Sequence, residues 1–417
     1  MNGSFYGRTS ADSAQNPRLV KPENILILHD NNMKKYLQAE EIKLVHSGKD
    51  FFKVLNNVID RSTKTLHLQT YIFAHDETGT EVITSLIRAT KRGVSVYVLI
   101  DAYGSFPFSN EFQQQLKEAG VRFRMFSRLF SSENVSLWRR LHHKIVVTDK
   151  TLALVGGINI ANKYNKWLDE EPWLDYAVLI KGNVCEHLHI LCEAMYYKRR
   201  RNLLRQWELN PMIGELPDSS PLVRFRQNDF LRNKQEIHLG YVHAIARAES
   251  SIVLIASYFL PGRHLRKLLN KAAERGVKIQ IILAGKSDVG SARLAQNYLF
   301  DFYCRSNIEI IEWQNSILHG KAMLVDDTWA TVGSYNLNFL SRYISIELNV
   351  DIIDRGFAND FSKHLNKIIS ENQSTTYAKQ DLEKRSLWKR LKMWLAYNFY
   401  KLLMLIFVTR RKYKRKH

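Results

Sequence analysis

The stretch His142-His143-Lys144-Ile145-Val146-Val147-Thr148-Asp149 decides how this chain is read, because it is written twice. Its second copy is His319-Gly320-Lys321-Ala322-Met323-Leu324-Val325-Asp326. Both follow the pattern H-x-K-x4-D. A small turn ending in Asn comes after each, Gly156-Gly157-Ile158-Asn159 and Gly333-Ser334-Tyr335-Asn336. One constant offset carries His142 to His319, Lys144 to Lys321, Asp149 to Asp326 and Asn159 to Asn336. Polar residues that keep one spacing while their neighbours change mark an internal repeat, and a repeat sets the fold expectation: two similar lobes.

Ile145-Val146-Val147 and Met323-Leu324-Val325 are short apolar runs, so each motif is expected on a buried strand. Side chains at i and i+2 of a strand share a face. His142 then stands beside Lys144, and His319 beside Lys321. The Gly-Gly and Gly-Ser pairs read as tight turns that bring an Asn close. Each copy therefore offers an imidazole, an ammonium and a carboxamide at one spot. Lys and Asn suit phosphate oxygens, and His serves as nucleophile or proton carrier near neutral pH. Two such half-sites facing each other suit in-line displacement at phosphorus: one His attacks, and the other protonates the leaving oxygen and deprotonates the acceptor.

The doubled motif resembles that of the phospholipase D superfamily over residues from about 45 to 370. It resembles in particular the short type of bacterial cardiolipin synthase, which lacks amino-terminal transmembrane helices. That nearer likeness rests on Gln69-Thr70-Tyr71-Ile72-Phe73, Asp101-Ala102-Tyr103-Gly104-Ser105, Ala256-Ser257-Tyr258-Phe259-Leu260-Pro261 and Trp329-Ala330-Thr331-Val332-Gly333-Ser334, beside the motifs themselves. The resemblance implies an α/β fold of two similar lobes, mixed β-sheets flanked by helices, in a pseudo-two-fold arrangement. It implies a phosphatidyltransferase that joins two phosphatidylglycerols into cardiolipin and glycerol without a cofactor or metal. His142, Lys144, Asp149, His319, Lys321 and Asp326 form the candidate catalytic set, with His142 as nucleophile and His319 as general acid and base. Asn159 and Asn336 are the candidate phosphate-binding residues. In this fold the motif's own Asp tends to be structural, and the carboxylates that orient the histidines lie further downstream, here Asp175 and Glu347. Gly157 stands where many members carry Ser, which removes a hydroxyl and leaves a backbone N–H.

The remaining sequence fits that frame. At 417 residues and 45% hydrophobic, the chain can bury one large core or two medium ones. A net charge of +20 calls for an anionic partner: a membrane surface, a phosphorylated substrate or nucleic acid. Cys185, Cys192 and Cys304 match no zinc or disulfide pattern and are expected as reduced core thiols. His187, His189, His238, His243 and His264 are scattered without a ligand pattern and are expected as surface or core residues. The run Lys198-Arg199-Arg200-Arg201 reads as a solvated helix face. Residues 1–24 are polar with no basic-then-apolar leader, and are expected as a flexible arm on a chain that stays on the cytoplasmic side.

Strand signals at 65–73, 94–100 and 121–126 alternate with helical signals at 80–92 and 110–119, which indicates parallel βαβ units. The plan recurs with strands at 251–259 and 277–283 around a helix at 262–275, and Gly93 reads as a helix C-cap. The expected organisation is a first lobe at 25–205, a linker at 206–235 broken by Pro211, Pro217 and Pro221, a second lobe at 236–372, and a tail at 373–417.

The tail carries more than half of the net charge. Trp388, Leu391, Leu395, Phe399, Leu402 and Ile406 recur at helical spacing. The apolar stretch 393–408 reaches about 24 Å as a helix, short of the roughly 30 Å hydrocarbon core. An amphipathic helix lying in the interface is therefore expected, with Trp388, Trp394, Tyr397 and Tyr400 at headgroup level and the basic end on anionic lipid. The competing reading packs the same helix on the body. The expected partners are anionic phospholipids, phosphatidylglycerol and cardiolipin, and a membrane surface; the expected place is the inner membrane, peripheral, on its cytoplasmic side. Nucleic acid is not expected, because a DNA binder gains little from Leu402-Leu403-Met404-Leu405-Ile406-Phe407-Val408. A phospholipase-type hydrolase, a nuclease of the same superfamily and a non-enzymatic lipid-binding scaffold are the alternatives.

Overall fold

The computed structural model describes residues 36–106, 108–127, 139–167, 170–198, 219–229, 232, 234–370, 374–376 and 385–413. Two mixed sheets organise them. The first runs in the order Glu41–His46, Tyr176–Lys181, Leu152–Gly156, Ile145–Thr148, Thr65–Thr70, Ser95–Asp101, Arg122–Phe126. The second runs Leu222–Asp229, Ser345–Ile353, Trp329–Gly333, Lys321–Val325, Ser251–Ala256, Lys278–Lys286, Glu309–Ile317. These seven strands of the second sheet correspond one for one to those of the first, so the duplication read from the motifs extends to a seven-stranded unit, to which the second sheet adds Leu37–Gln38 at one edge and Ser374–Thr376 at the other. Only the last three strands of each series pair in parallel; the others are antiparallel. The βαβ expectation therefore holds for half of each lobe, and the motif strand belongs to the antiparallel half.

Local chemistry sets the helices. Glu77–Lys91 starts three residues before its expected position because the Asp76 carboxylate caps it, accepting from the Gly79 N–H at 2.9 Å. Gly93 and Gly276 follow corresponding helices at φ 89° and 90°, the left-handed region that glycine enters without penalty.

The stretch expected as a linker is a strand in its second part: Leu222–Asp229 pairs antiparallel with residues 347–353 of Ser345–Ile353 and belongs to the second lobe. Residues of the linker before 219 and Arg199–Arg201 of the basic run lie outside the described residues. One core joins the lobes, since Val155 and Val178 of the first sheet share a buried cluster with Val332 and Val350 of the second. Burial of this continuous apolar layer is what holds the two motif strands at a fixed separation. Cys185 and Cys192 are buried free thiols, as expected of core cysteines, and Cys304 is a partly buried one.

The tail forms a helix, Leu387–Tyr413. Met393 is only 3% exposed; Tyr397 stacks on Tyr298 with ring centroids 4.8 Å apart, and the Tyr400 hydroxyl lies 3.1 Å from Ser291 Oγ. One face thus packs on the body. Tyr397 and Tyr400, expected at headgroup level, belong to that packed face. Among the described residues no helix is long and apolar enough to cross a membrane.

Candidate active site

Each motif histidine is held by the opposite lobe. The short strand Arg140–Leu141 leaves the first sheet and pairs in parallel with the start of Ser345–Ile353, and the His142 N–H donates to the Ile346 carbonyl at 2.9 Å. This delivers His142 to Glu347: Nδ1 lies 2.7 Å from Oε2. Reciprocally, the His319 and Gly320 N–H groups both donate to the Leu174 carbonyl at 2.8 Å, and His319 Nδ1 lies 2.6 Å from Asp175 Oδ2. Both expected orienting carboxylates thus stand beside an imidazole, each that of the opposite lobe. An ionised carboxylate only accepts, so Glu347 fixes the His142 proton on Nδ1 and leaves Nε2 as the lone-pair nitrogen. The two imidazoles keep 12% and 11% of their side-chain surface exposed, so an edge of each remains reachable.

Lys144 and Lys321 lie two residues along from each His and donate to the carbonyls of His142 and His319 respectively. Burial pulls the Lys144 ammonium down to about 7 and Lys321 down to about 8, with Glu347 and Asp175 opposing the change in both. Burial also lowers His142, and lowers His319 well below its ordinary value; Lys144, Lys321 and His142 add repulsion at His319. Burial pushes Asp175 up to about 7 against the pull of Lys321. These groups sense one another across the lobe boundary. Buried ammonium groups are poorly solvated there. A phosphate diester, carrying one negative charge, would favour their charged forms.

The two halves are not equivalent. Ser334 Oγ donates to Glu347 Oε2 at 2.6 Å, and the Ser334 carbonyl lies 3.1 Å from His142 Nδ1. At the matching position Gly157 brings no hydroxyl, and a Cβ there would stand 2.3 Å from Asp175 Oδ1. Its N–H is engaged with the Tyr176 carbonyl at 2.9 Å and is not free for substrate. Asn159 is fully buried; its Oδ1 accepts from the Ile72 N–H and its Nδ2 donates to the Tyr164 hydroxyl, which leaves one amide proton among the described residues. Asn336 accepts from Ser257 Oγ at 2.8 Å and, among the described residues, keeps both amide protons.

Asp149 and Asp326, counted with the catalytic set, stand at the far ends of their strands. Asp149 accepts from the N–H groups of Thr63, Lys64 and Thr65, and Asp326 from those of Glu249, Ser250 and Ser251. Partial burial alone would raise the Asp149 pKa, but these donors bring it below the usual carboxylate range. Both residues sit at positive φ, 51° and 52°, so the repeat extends to the backbone of the anchoring turn. They brace the motif strands against a neighbouring loop and do not reach the imidazoles.

Other residues near the site were not apparent from pattern. Asp101 accepts the Leu141 N–H at 2.8 Å and so pins the segment just before His142. Tyr164 and Trp173 pack against His319, with centroids 5.2 and 5.9 Å away. Among the aromatic residues of the quoted motifs, Tyr71 packs on His142 at 4.9 Å and under the Lys144 ammonium at 5.3 Å, and Tyr103 carries the Arg140 guanidinium at 4.7 Å. Tyr258 donates to Asp288, whereas Phe259 is core, packed on Tyr303.

Two lobes of one plan, each holding the other's motif histidine, with a His and Lys pair from each coupled electrostatically, define a phospholipase D-like protein. Residues 55–182 and 241–369 match the family described as "Cardiolipin synthase, PLD-like domain", and the chain belongs to that family. It is 32% identical to cardiolipin synthase B of Escherichia coli (strain K12) over 372 residues, 87% of this chain and 88% of that one. It is 29% identical to cardiolipin synthase of Geobacillus sp. (strain WCH70) over 318 residues, 75% of this chain and 62% of the other. Phosphatidylserine synthase of Haemophilus influenzae Rd KW20 shares the fold, with a TM-score of 0.68 over 89% of this chain and 96% of its own, at 17% identity. The protein is a transferase of the phospholipase D superfamily.

Proposed function

We propose that the chain transfers a phosphatidyl group from one phosphatidylglycerol to a hydroxyl of a second, giving cardiolipin and glycerol through a phosphohistidine on His142. The observation that carries this reading is the crossed pair of carboxylate–imidazole contacts, which ties both histidines to one site. His142 Nε2 attacks phosphorus, and the bond to the leaving glycerol oxygen breaks. His319 gives that oxygen its proton. The acceptor hydroxyl then enters, His319 takes its proton back, and the new P–O bond displaces His142. Lys144, Lys321 and Asn336 face the phosphate oxygens throughout. The His319–Asp175 pair suits the acid and base role because burial leaves the carboxyl titrating near neutrality, so the pair holds one proton between its members.

The tail supplies the membrane contact. Trp388 is 74% exposed and Phe399 57%, and Leu387, Leu391, Trp394, Leu395 and Leu402 lie beside them on the outer face of the helix. A contiguous exposed apolar face flanked by cations suits the interface of an anionic bilayer. The test incubates purified protein with headgroup-labelled phosphatidylglycerol in mixed micelles and separates the products. Cardiolipin with released glycerol is the expected outcome. Phosphatidic acid alone would make the enzyme a hydrolase, and intact lipid beside cleaved DNA would make it a nuclease.

A further inference from the structure

A cavity of about 370 Å³ lies between the second lobe and the tail helix, beside the turn that carries Asn336 but lined by none of the motif histidines or lysines. Its volume falls within the roughly 300–1,000 Å³ of sites that hold small organic ligands. Leu260, Leu265 and Leu337 give it apolar walls. Arg266, Arg342 and Lys401 give it positive charge, and no acidic side chain is among its described lining residues. Two of those cations are incompletely used: among the described residues, Arg266 Nε and Arg342 Nε are buried donors without an acceptor. The helix Arg263–Glu274 begins at the cavity, and its N-cap Gly262 offers no side-chain acceptor to the first-turn N–H groups. Unsatisfied buried donors and an uncapped helix start both favour an anion. The apolar walls favour a hydrocarbon chain attached to it.

From this juxtaposition we propose that the cavity is an accessory binding site for one anionic phospholipid, distinct from the catalytic cluster. Its acyl chain lies against the leucines and its phosphate meets Arg266, Arg342 and the first turn of Arg263–Glu274. The helix that closes the cavity with Tyr397, Tyr400 and Lys401 is the one whose outer face is apolar and exposed. A lipid held there ties the tail to the second lobe.

The test uses the full chain with His142→Ala and His319→Ala, so that no turnover occurs and the outcome is independent of the transfer reaction. The probe is dioctanoyl phosphatidylglycerol with a photoreactive group in one acyl chain. Labelling is expected on peptides containing residues 260–266, 335–343 and 397–401. Gly262→Trp should lower that labelling at least about fivefold by filling the space: φ is −63° and an added Cβ meets no atom within 4 Å, so the backbone accepts a side chain. Arg342→Gln with Lys401→Gln should lower it by a similar factor at unchanged volume, as loss of charge-assisted bonds requires. Labelling confined to peptides bearing residues 142 or 319 overturns the proposal. So does equal labelling by the phosphatidylcholine analogue, or complete displacement by inorganic phosphate, which would mark a phosphate site without lipid selectivity.

Discussion

His142 Nδ1 sits 2.7 Å from Glu347 Oε2 although 205 positions separate the two residues, and the Asp175–His319 pair repeats the exchange at 2.6 Å. Each imidazole therefore depends on the other lobe for its tautomer. Glu347→Gln should lower kcat by on the order of 10²–10⁴ with little change in KM, as expected when a histidine loses the carboxylate that fixes its proton. Asp175→Asn should do the same from the other side. Because the contacts cross the lobe boundary, both variants should also melt at lower temperature than the parent protein. A rise in KM at constant kcat would mean that these carboxylates serve substrate binding instead.

The two histidines have unequal tasks in the proposed cycle. His142→Ala should leave no covalent phosphoenzyme and no transfer. His319→Ala should also abolish steady-state transfer, yet a substrate with an activated leaving group needs no acid. With such a substrate the His319→Ala protein should accumulate the intermediate, and peptide mapping after alkaline quench should place phosphate on His142. Phosphate recovered on His319 in the His142→Ala protein would reverse the assignment.

Binding of an oxyanion should be linked to protons. In the folded protein burial holds Lys144 near 7 and Lys321 near 8, below their ordinary 10.5. Such depressed groups contribute stability that is complete above 10.5 and lost as pH falls through 8 and then 7. Asp175 has the opposite sign, since a carboxyl raised to about 7 contributes fully below its ordinary 3.8 and loses that contribution as pH rises through 7. An anion placed between the lysines restores their charge. Tungstate binding near pH 8, followed by calorimetry in buffers of different ionisation enthalpy, should therefore show net proton uptake that shrinks toward pH 6. Uptake that is absent near pH 8 would mean that the lysines do not face the bound anion.

The doubled motif revealed the two lobes from sequence because polar spacing survives where core residues drift. The exchange of partners was not legible. Asp175 follows the first motif and Glu347 the second, and order along the chain says nothing about which sheet edge a segment crosses. The strand Leu222–Asp229 was hidden by the prolines before it and by its own charge: Arg224 and Arg226 are both buried, and Arg226 pairs with Asp351. Asp101 lies in an Asp-Ala-Tyr-Gly turn, and nothing in that pattern says that its carboxylate reaches Leu141. The tail carried two apolar faces at one helical period. Periodicity finds such a helix without saying which face meets the protein, and the structure assigns Met393, Tyr397 and Tyr400 to the body.

That division of faces changes how the membrane contact is tested. Removing the whole tail would uncover Tyr298 and open the cavity, confusing anchoring with folding. Trp388→Ser, Leu395→Ser and Phe399→Ser act on the outer face alone. An exposed apolar side chain that buries roughly 40 Å² of its surface in an interface contributes about 1 kcal/mol, so the triple variant should lose on the order of 100-fold in partition onto phosphatidylglycerol vesicles. Its melting temperature and its turnover of short-chain lipid in detergent should stay near those of the parent. Sedimentation of the variant with vesicles separates the two readings of the helix. Binding equal to the parent's at moderate salt would leave the basic residues as the whole anchor and the exposed aromatic face without a membrane role.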